Sequence, residues 1–285
     1  MNCKKCKKKA VLANPNYCKD HFIVYFENKV KKTIKDFNLL TKKDRIVVGV
    51  SGGKDSLTLL YILNKLYKNV TALAIDEGIK GYRPKSLNTL NEFCKRYNVP
   101  LTITSYQREF GKTLDAFLEG NEVMKPCTVC GAFRRYLLNK KSRELNASKI
   151  ATGHNLDDEA QVIIMNLLRA CPSQSARLGP ASGIIKDKRF VPRIKPLYLC
   201  TEKEVTIYSY LKNFGVKYDE CPNVAKSLRY VVSDMLNSYE NQHKGTKLNI
   251  IKTFLKELPK FKKEFSSETE VGTCVQCSEP ANRTI

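Results

Sequence analysis

The sequence predicts an α/β fold, a doubly wound parallel sheet with a small cysteine-rich appendage at each end, and three observations carry that expectation. Four short, continuous apolar runs at 46–50, 70–76, 101–105 and 149–153 alternate with amphipathic stretches at 56–67, 84–97, 131–145 and 156–169. The runs are unbroken, as strands buried on both faces are, and each intervening stretch is long enough for a right-handed helical crossover. The segment SGGKDS (51–56) follows the first run directly, at the strand end where such sheets bind ligands.

Taken in order, the chain opens with Cys3, Cys6, Cys18 and His21, a CxxC and a CxxH separated by eleven residues. That spacing is the pattern of a tetrahedral Zn²⁺ site of three cysteines and one histidine. Lys4, Lys5, Lys7, Lys8 and Lys9 flank it, either as an RNA-gripping element or as a solvated charge run. Phe22, Phe26, Val30 and Ile34 then recur at near-helical spacing and predict a helix over 22–38. The division expected is a knuckle and linking helix (1–40), a nucleotide-binding domain (41–215), a helical extension (216–265) and a partial second knuckle (266–285).

After the first strand, a Walker loop would place a second glycine where Lys54 stands, so SGGKDS is a different phosphate cradle. Gly52 and Gly53 allow a tight turn, Ser51 and Ser56 offer hydroxyls, and the helix that follows presents amide donors and its positive dipole end. Lys54 adds charge, and Asp55 is suited to holding Mg²⁺ or orienting a neighbouring donor. The fourth strand runs into ATGHNLDDE (151–159), where Asp157, Asp158 and Glu159 crowd a first helical turn; capping accounts for one or two of these acids. Residues 171–198 form a long basic connection rich in Pro, Gly, Ser and Arg, and helical patterns resume over 202–213 and 224–258.

Of eleven cysteines, the eight in three groups (Cys3, Cys6 and Cys18; Cys127, Cys130 and Cys221; Cys274 and Cys277) read as metal ligands and not as bridges in a reducing cytosol. No apolar run of membrane-spanning length and no secretory leader is present, so a cytosolic protein is expected. Cys127 and Cys130 stand in a PCTVC turn, Cys221 is the natural third thiol, and no fourth Cys or His lies near either. Three thiolates leave one iron of a cluster open, whereas structural zinc takes four protein ligands; a redox disulfide between Cys127 and Cys130, resolved by Cys221, and a zinc site are the alternatives. Cys94, Cys171 and Cys200 read as small buried apolar side chains. Fifty Lys and Arg against 28 Asp and Glu give a net charge of +22, which favours a polyanionic partner, nucleic acid first.

SGGKDS resembles the loop of the PP-loop ATP pyrophosphatases, a Rossmann variant, and the resemblance implies cleavage of ATP between the α and β phosphates. GHNLDD is similar to the segment that approaches the α-phosphate and metal in PP-loop tRNA-modifying enzymes. It implies nucleotide contacts for Gly153 and His154, a metal or acid–base role for Asp158, and adenine and ribose contacts for Ala74, Ile75 and Asp76. The full order, CxxC and CxxH, SGGKDS, PCxxCG, GHNLDDEAQ, Cys-Pro and a terminal CxxC, resembles the TtuA/NcsA-type tRNA 2-thiouridine synthetases over nearly the whole chain. That family implies a 4Fe-4S cluster on Cys127, Cys130 and Cys221, adenylation of a tRNA uridine O2, and replacement of that oxygen by sulfur held on the open iron. It implies a sulfide or ubiquitin-like carrier as sulfur donor, and a homodimer. Arg134 stands where some members carry lysine and is assigned electrostatic support, since a guanidinium is a poor proton shuttle. Members also carry a further CxxC beyond Cys274 and Cys277; here those two supply half of a second zinc site, and a truncated sequence is the expectation. The other readings are a PP-loop enzyme with another acceptor such as a tRNA cytidine, a persulfide route through Cys127 or Cys130, and a zinc-knuckle RNA-binding module without turnover.

Overall fold

Every apolar run identified above is a strand in the computed structural model, which describes all residues except 121–124, 186, 217–220, 224–227, 267–270, 276–279 and 283–285. The chain begins with a hairpin of β1 (Leu12–Ala13) and β2 (Asn16–Tyr17), followed by α1 (Lys19–Asp36). Then come β3 (Ile46–Val50), α2 (Lys54–Leu66), β4 (Val70–Asp76), α3 (Arg83–Arg96) and β5 (Leu101–Ser105). Two short helices, α4 (Tyr106–Phe110) and α5 (Leu114–Leu118), precede α6 (Pro126–Glu144), β6 (Lys149–Thr152) and α7 (Leu156–Leu168).

Four strands of the sheet run in the order β5-β4-β3-β6, all parallel. Because β4 and β5 lie on one side of β3 and β6 on the other, the loops after β3 and β6 diverge at their carboxyl ends and open the crevice characteristic of a switch point. The sheet is not purely parallel. The basic connection expected to be partly irregular contains α8 (Pro172–Ala176), β7 (Ala181–Ser182) and β8 (Arg193–Ile194); β8 continues the sheet parallel to β6, and β7 closes the edge antiparallel. Strands of two residues have no readable period, which is why the sequence does not announce them.

Downstream lie α9 (Glu202–Leu211), α10 (Leu228–Gln242), α11 (Thr246–Phe265) and a hairpin of β9 (Val271–Thr273) and β10 (Pro280–Asn282). The helical pattern expected over 224–258 forms two helices among the described residues, and Gly245, in the left-handed region at φ 92°, separates them; 224–227 lie outside the described residues. One apolar core joins Phe22, Phe26, Val30 and Ile34 of α1 to Val48 of β3, Leu59 and Leu63 of α2 and Val205 and Tyr208 of α9. A second lies on the other face, where Leu137 and Leu138 of α6 meet Val47, Leu73 and Ile150. A third seats α10 and α11 on α7 through Val232, Leu236 and Ile251 against Leu156 and Ala160. These layers hold α2, α6 and α7 with their N-terminal turns at one edge of the sheet.

Candidate active site

The turn between β3 and α2 is built by its own side chains. The Ser51 amide donates to Ser56 Oγ at 3.2 Å, Ser56 Oγ donates to the Gly53 carbonyl at 3.0 Å, and the Gly53 amide donates to Ser51 Oγ at 3.3 Å. Gly52 has φ 88°, and a Cβ there would strike the Ser86 carbonyl, so only glycine fits. Gly153, just past β6, lies against the same loop: a Cβ on it would sit 2.9 Å from the Asp55 carbonyl carbon and 3.0 Å from the Ser56 nitrogen. Lys54 Nζ lies 2.9 Å from Glu202 and 3.3 Å from Asp55, and these carboxylates raise its pKa against the burial that opposes them.

Two acids face each other across this loop. Asn155 caps α7, its side-chain oxygen accepting from the Asp157 and Asp158 amides at 2.9 and 3.1 Å while its own amide donates to Asp158 Oδ2 at 3.1 Å. The Asn155 side-chain NH₂ donates to Asp55 Oδ1 at 2.9 Å, tying α7 to the loop. Burial raises the pKa of both Asp55 and Asp158, and in Asp55 the Asp158 charge adds to it. Desolvated, neighbouring carboxylates are a donor set suited to a divalent cation with oxygen ligands. Asp158 therefore caps the helix and also faces the crevice, where Arg229 lies 3.5 Å away. Asp157 is structural: it accepts from the Glu202 amide at 2.8 Å and pairs with Lys247.

His154 lines the cleft with part of its ring open to solvent, and its Nδ1 is 2.9 Å from Thr152 Oγ1. Burial among protein groups, then the charges of Lys195, Arg229, Arg193 and Arg134, push its pKa down to about 3, so the ring is neutral. Ala74 and Ile75 are buried at the end of β4, and Asp76 Oδ1 accepts from the Gly78 amide at 2.9 Å.

The cysteines expected in a turn lie instead inside α6, which begins at Pro126: proline at the first helical position needs no hydrogen-bond partner for its nitrogen. Cys127 is exposed, Cys130 buried and Cys221 half-buried, and Cys221 packs with Cys130 and Tyr82 in one apolar cluster. Burial, then the Cys221 and Cys130 charges, push the Cys127 thiol up. Among the described residues the three sulfurs do not gather as tightly as the four N-terminal ligands, whose donor atoms all lie within 4.8 Å of one another. Arg134 Nη2 reaches Cys130 Sγ at 3.0 Å and Glu77 Oε1 at 3.0 Å, and the other Glu77 oxygen lies 2.9 Å from Arg83 Nε. Arg83 in turn donates to the Ser51 carbonyl at 2.6 Å and the Ile75 carbonyl at 2.5 Å. The thiols and the nucleotide loop thus share one edge of the sheet. Glu77, Arg83, Asn155, Glu202 and Arg229 were not foreseen; the acid pair and glycine that close β4, Asp76-Glu77-Gly78, are the one signal that could have pointed to Glu77.

At the N-terminus, His21 Nδ1 lies 3.4, 3.6 and 3.3 Å from the sulfurs of Cys3, Cys6 and Cys18, and Cys6 and Cys18 are 3.6 Å apart. Zinc with sulfur at about 2.3 Å and nitrogen at about 2.0 Å sets its ligand atoms about 3.5–4 Å apart, so this donor set fits the ion. Cys274 is half-buried beside β9, and Cys277 lies outside the described residues.

The parallel sheet, switch-point crevice and serine-glycine loop define a PP-loop nucleotide-binding protein, and the PP-loop domain family matches residues 23–231. The chain is 36% identical over 289 residues to the tRNA-5-methyluridine(54) 2-sulfurtransferase of Pyrococcus horikoshii, covering 100% of this chain and 91% of that one. It is 35% identical to the tRNA 2-thiolation protein NcsA of Haloferax volcanii, over 97% of this chain and 94% of the relative. The structure of the U34-tRNA thiolase NcsA from Methanococcus maripaludis with its 4Fe-4S cluster superposes with a TM-score of 0.83 at 33% identity, covering 99% of this chain and 92% of that one. The chain belongs to the PP-loop family of tRNA 2-thiolation sulfurtransferases. Among the described residues, no helix is long and apolar enough to cross a membrane.

Proposed function

We propose that this chain is an ATP-dependent tRNA-uridine 2-sulfurtransferase. ATP gives its AMP to the C2 oxygen of a uridine with release of pyrophosphate; sulfur then replaces that oxygen at C2, and AMP departs with it. The observation that carries the reading is the shared edge: the Ser51–Ser56 loop and Cys130 are joined by side-chain contacts no longer than 3.0 Å, through Arg83, Glu77 and Arg134. A nucleotide activated at the loop therefore stands beside the thiols that deliver sulfur.

In this reading the Ser51 and Ser56 hydroxyls, Gly52, Gly53 and Lys54 cradle the triphosphate, and the α2 N-terminus faces its charge. Asp55 and Asp158 would hold Mg²⁺, whose charge would screen the phosphates. Ala74, Ile75 and Asp76 border adenine and ribose, and Gly153 and neutral His154 border the α-phosphate. Arg134 stabilises negative charge near the reacting carbon without moving a proton. Cys127, Cys130 and Cys221 are the residues that would hold a 4Fe-4S cluster, which would supply an iron with an open position to sulfide. Zn²⁺ on Cys3, Cys6, Cys18 and His21 fixes the N-terminal turn; Cys274 and Cys277 contribute to a second zinc site. A sulfide ion or a ubiquitin-like carrier supplies the sulfur, and two chains pair as a homodimer. The cytoplasm is the compartment inferred, as for the cytoplasmic tRNA 2-thiolation protein 1 of Danio rerio, 37% identical over 232 residues. The relatives act by name at two different uridines, so the tRNA docking surface, not these motifs, sets the position.

Replacing Cys221 by alanine tests the reading. Anaerobically prepared C221A is expected to lose the iron chromophore and thiolation by at least about 100-fold while binding ATP as the parent does. Full activity of C221A would reject the cluster role and favour a persulfide on Cys127 or Cys130.

A further inference from the structure

The contacts between Cys130 and the nucleotide loop form a chain of alternating charge, half-exposed at Arg134 and buried at Glu77 and Arg83, and nothing in the proposed chemistry requires its middle member. Glu77 and Arg83 are 5% and 2% exposed, burial that a charged side chain tolerates only when it is paired. Glu77 meets that condition twice, once to each arginine. Arg83 spends its remaining nitrogens on the Ser51 carbonyl, just past β3, and the Ile75 carbonyl, near the end of β4. Two arginines against one carboxylate leave one positive charge over, and the Cys130 sulfur, 3.0 Å from Arg134, balances it when it is a thiolate. Glu77 is further fixed in its backbone, its carbonyl accepting from the Leu114 amide at 2.7 Å. The Tyr106 hydroxyl donates to the Cys130 carbonyl at 2.8 Å and holds the other end of the chain.

We infer that Glu77 is a positioning residue that couples the nucleotide loop to the sulfur centre: through Arg134 it sets the electrostatic environment of the Cys130 sulfur, and through Arg83 it transmits the state of the loop. Arg134 would otherwise be free to swing away from the sulfur, and Arg83 would pin the strand ends without reference to α6. Groups that orient metal ligands from outside the coordination sphere govern affinity and activity by about 10–100-fold, and hydrogen bonds to cluster sulfurs tune reduction potential. The inference rests on the reading of Cys127, Cys130 and Cys221 as cluster ligands.

The test uses the full-length, cluster-loaded protein and two variants. Iron content, the reduction potential with and without a non-hydrolysable ATP analogue, ATP affinity by calorimetry, and thiolation kinetics are measured for each. In the parent the potential is expected to shift when the analogue binds. Glu77→Gln keeps the shape but removes the charge, so Arg134 acts uncompensated on Cys130. Its potential is expected to be more positive, its response to the analogue lost, and kcat about 10–100-fold lower with the KM for ATP within about threefold. Arg83→Lys cannot span both carbonyls and the carboxylate; it is expected to weaken ATP binding and lose the response to the analogue while keeping the parent potential. If Glu77→Gln fails to retain iron, Arg83→Lys decides by itself, because Arg134 and Cys130 remain intact in it. Iron absent from the parent would defeat the functional reading. Iron present, with both variants showing the parent potential and analogue response, would overturn the coupling alone.

Discussion

At Gly153 the α7 segment meets the nucleotide loop with no room for a methyl group, and the consequence is specific. A Cβ within 3.0 Å of the Asp55 and Ser56 backbone must displace the first turn of α2, because both neighbours are main-chain atoms that cannot swing aside. Gly153→Ala is expected to cost about 1–3 kcal/mol of stability and to weaken ATP binding by at least about 10-fold, read by thermal unfolding and calorimetry. Unchanged ATP affinity would show that the contact is mere packing. The role of glycine here was legible only as part of a motif; its physical cause, the approach of a loop a hundred residues away, exists only in the fold. The same is true of Asn155, which was not foreseen: it caps α7 and also donates a hydrogen bond to Asp55.

Among the elements, the four main strands read clearly because burial on both faces makes them continuous apolar runs, and their helices read within a few residues because each buries one face. The first turn of α6 did not. Pro126 and the CxxC pair look like a turn, and the helix continues through them because its N-terminal amides need no partners inside the helix. This matters for the site: Cys127 and Cys130 are set by a rigid helix, and α6 is itself anchored by Glu109. That carboxylate is 2.8 Å from Lys141 and 3.1 Å from Lys140 and accepts from Thr104 at 3.0 Å, so β5, α4 and α6 meet on it. Hydrogen bonding from Lys141 is the largest influence and holds its pKa down to about 2. The folded-state pKa lies below the unfolded value of about 4.3, so the stabilisation is fully present above about pH 4.3 and is lost as pH falls through about 2. Glu109→Gln is expected to lower stability at pH 7 by about 1–2 kcal/mol, reduced from the full linkage because Lys140 is 35% exposed and screened. The difference from the parent should shrink steadily in denaturant titrations between about pH 5 and 2; a gap constant with pH would contradict the ion-pair account.

On the scale of the whole molecule, the sheet order and the charge point to the same function. The switch between β3 and β6 creates one crevice, and the chain's net charge of +22 favours a polyanionic partner. Binding of unmodified tRNA is expected to weaken at least about 10-fold between 50 and 200 mM salt, as release of counterions from even a few phosphates requires. Affinity independent of salt, measured by filter binding, would make the lysines a solubility device. The fold class and the gathering of Cys3, Cys6, Cys18 and His21 were legible because apolar runs and ligand spacing along the chain carry them. The edge pairing of β7 with β8, the break at Gly245 and the Arg134–Glu77–Arg83 chain were not, since each depends on partners distant in sequence. The central claim is that adenylation and sulfur delivery share one cavity and require the three-cysteine cluster. The most direct measurement is anaerobic quantification of iron and acid-labile sulfide alongside 2-thiouridine and AMP formed on unmodified tRNA. About four irons per chain, with one AMP released per thiolated uridine and no thiolation after iron removal, is the predicted result; full ATP-dependent thiolation by iron-free protein would contradict it.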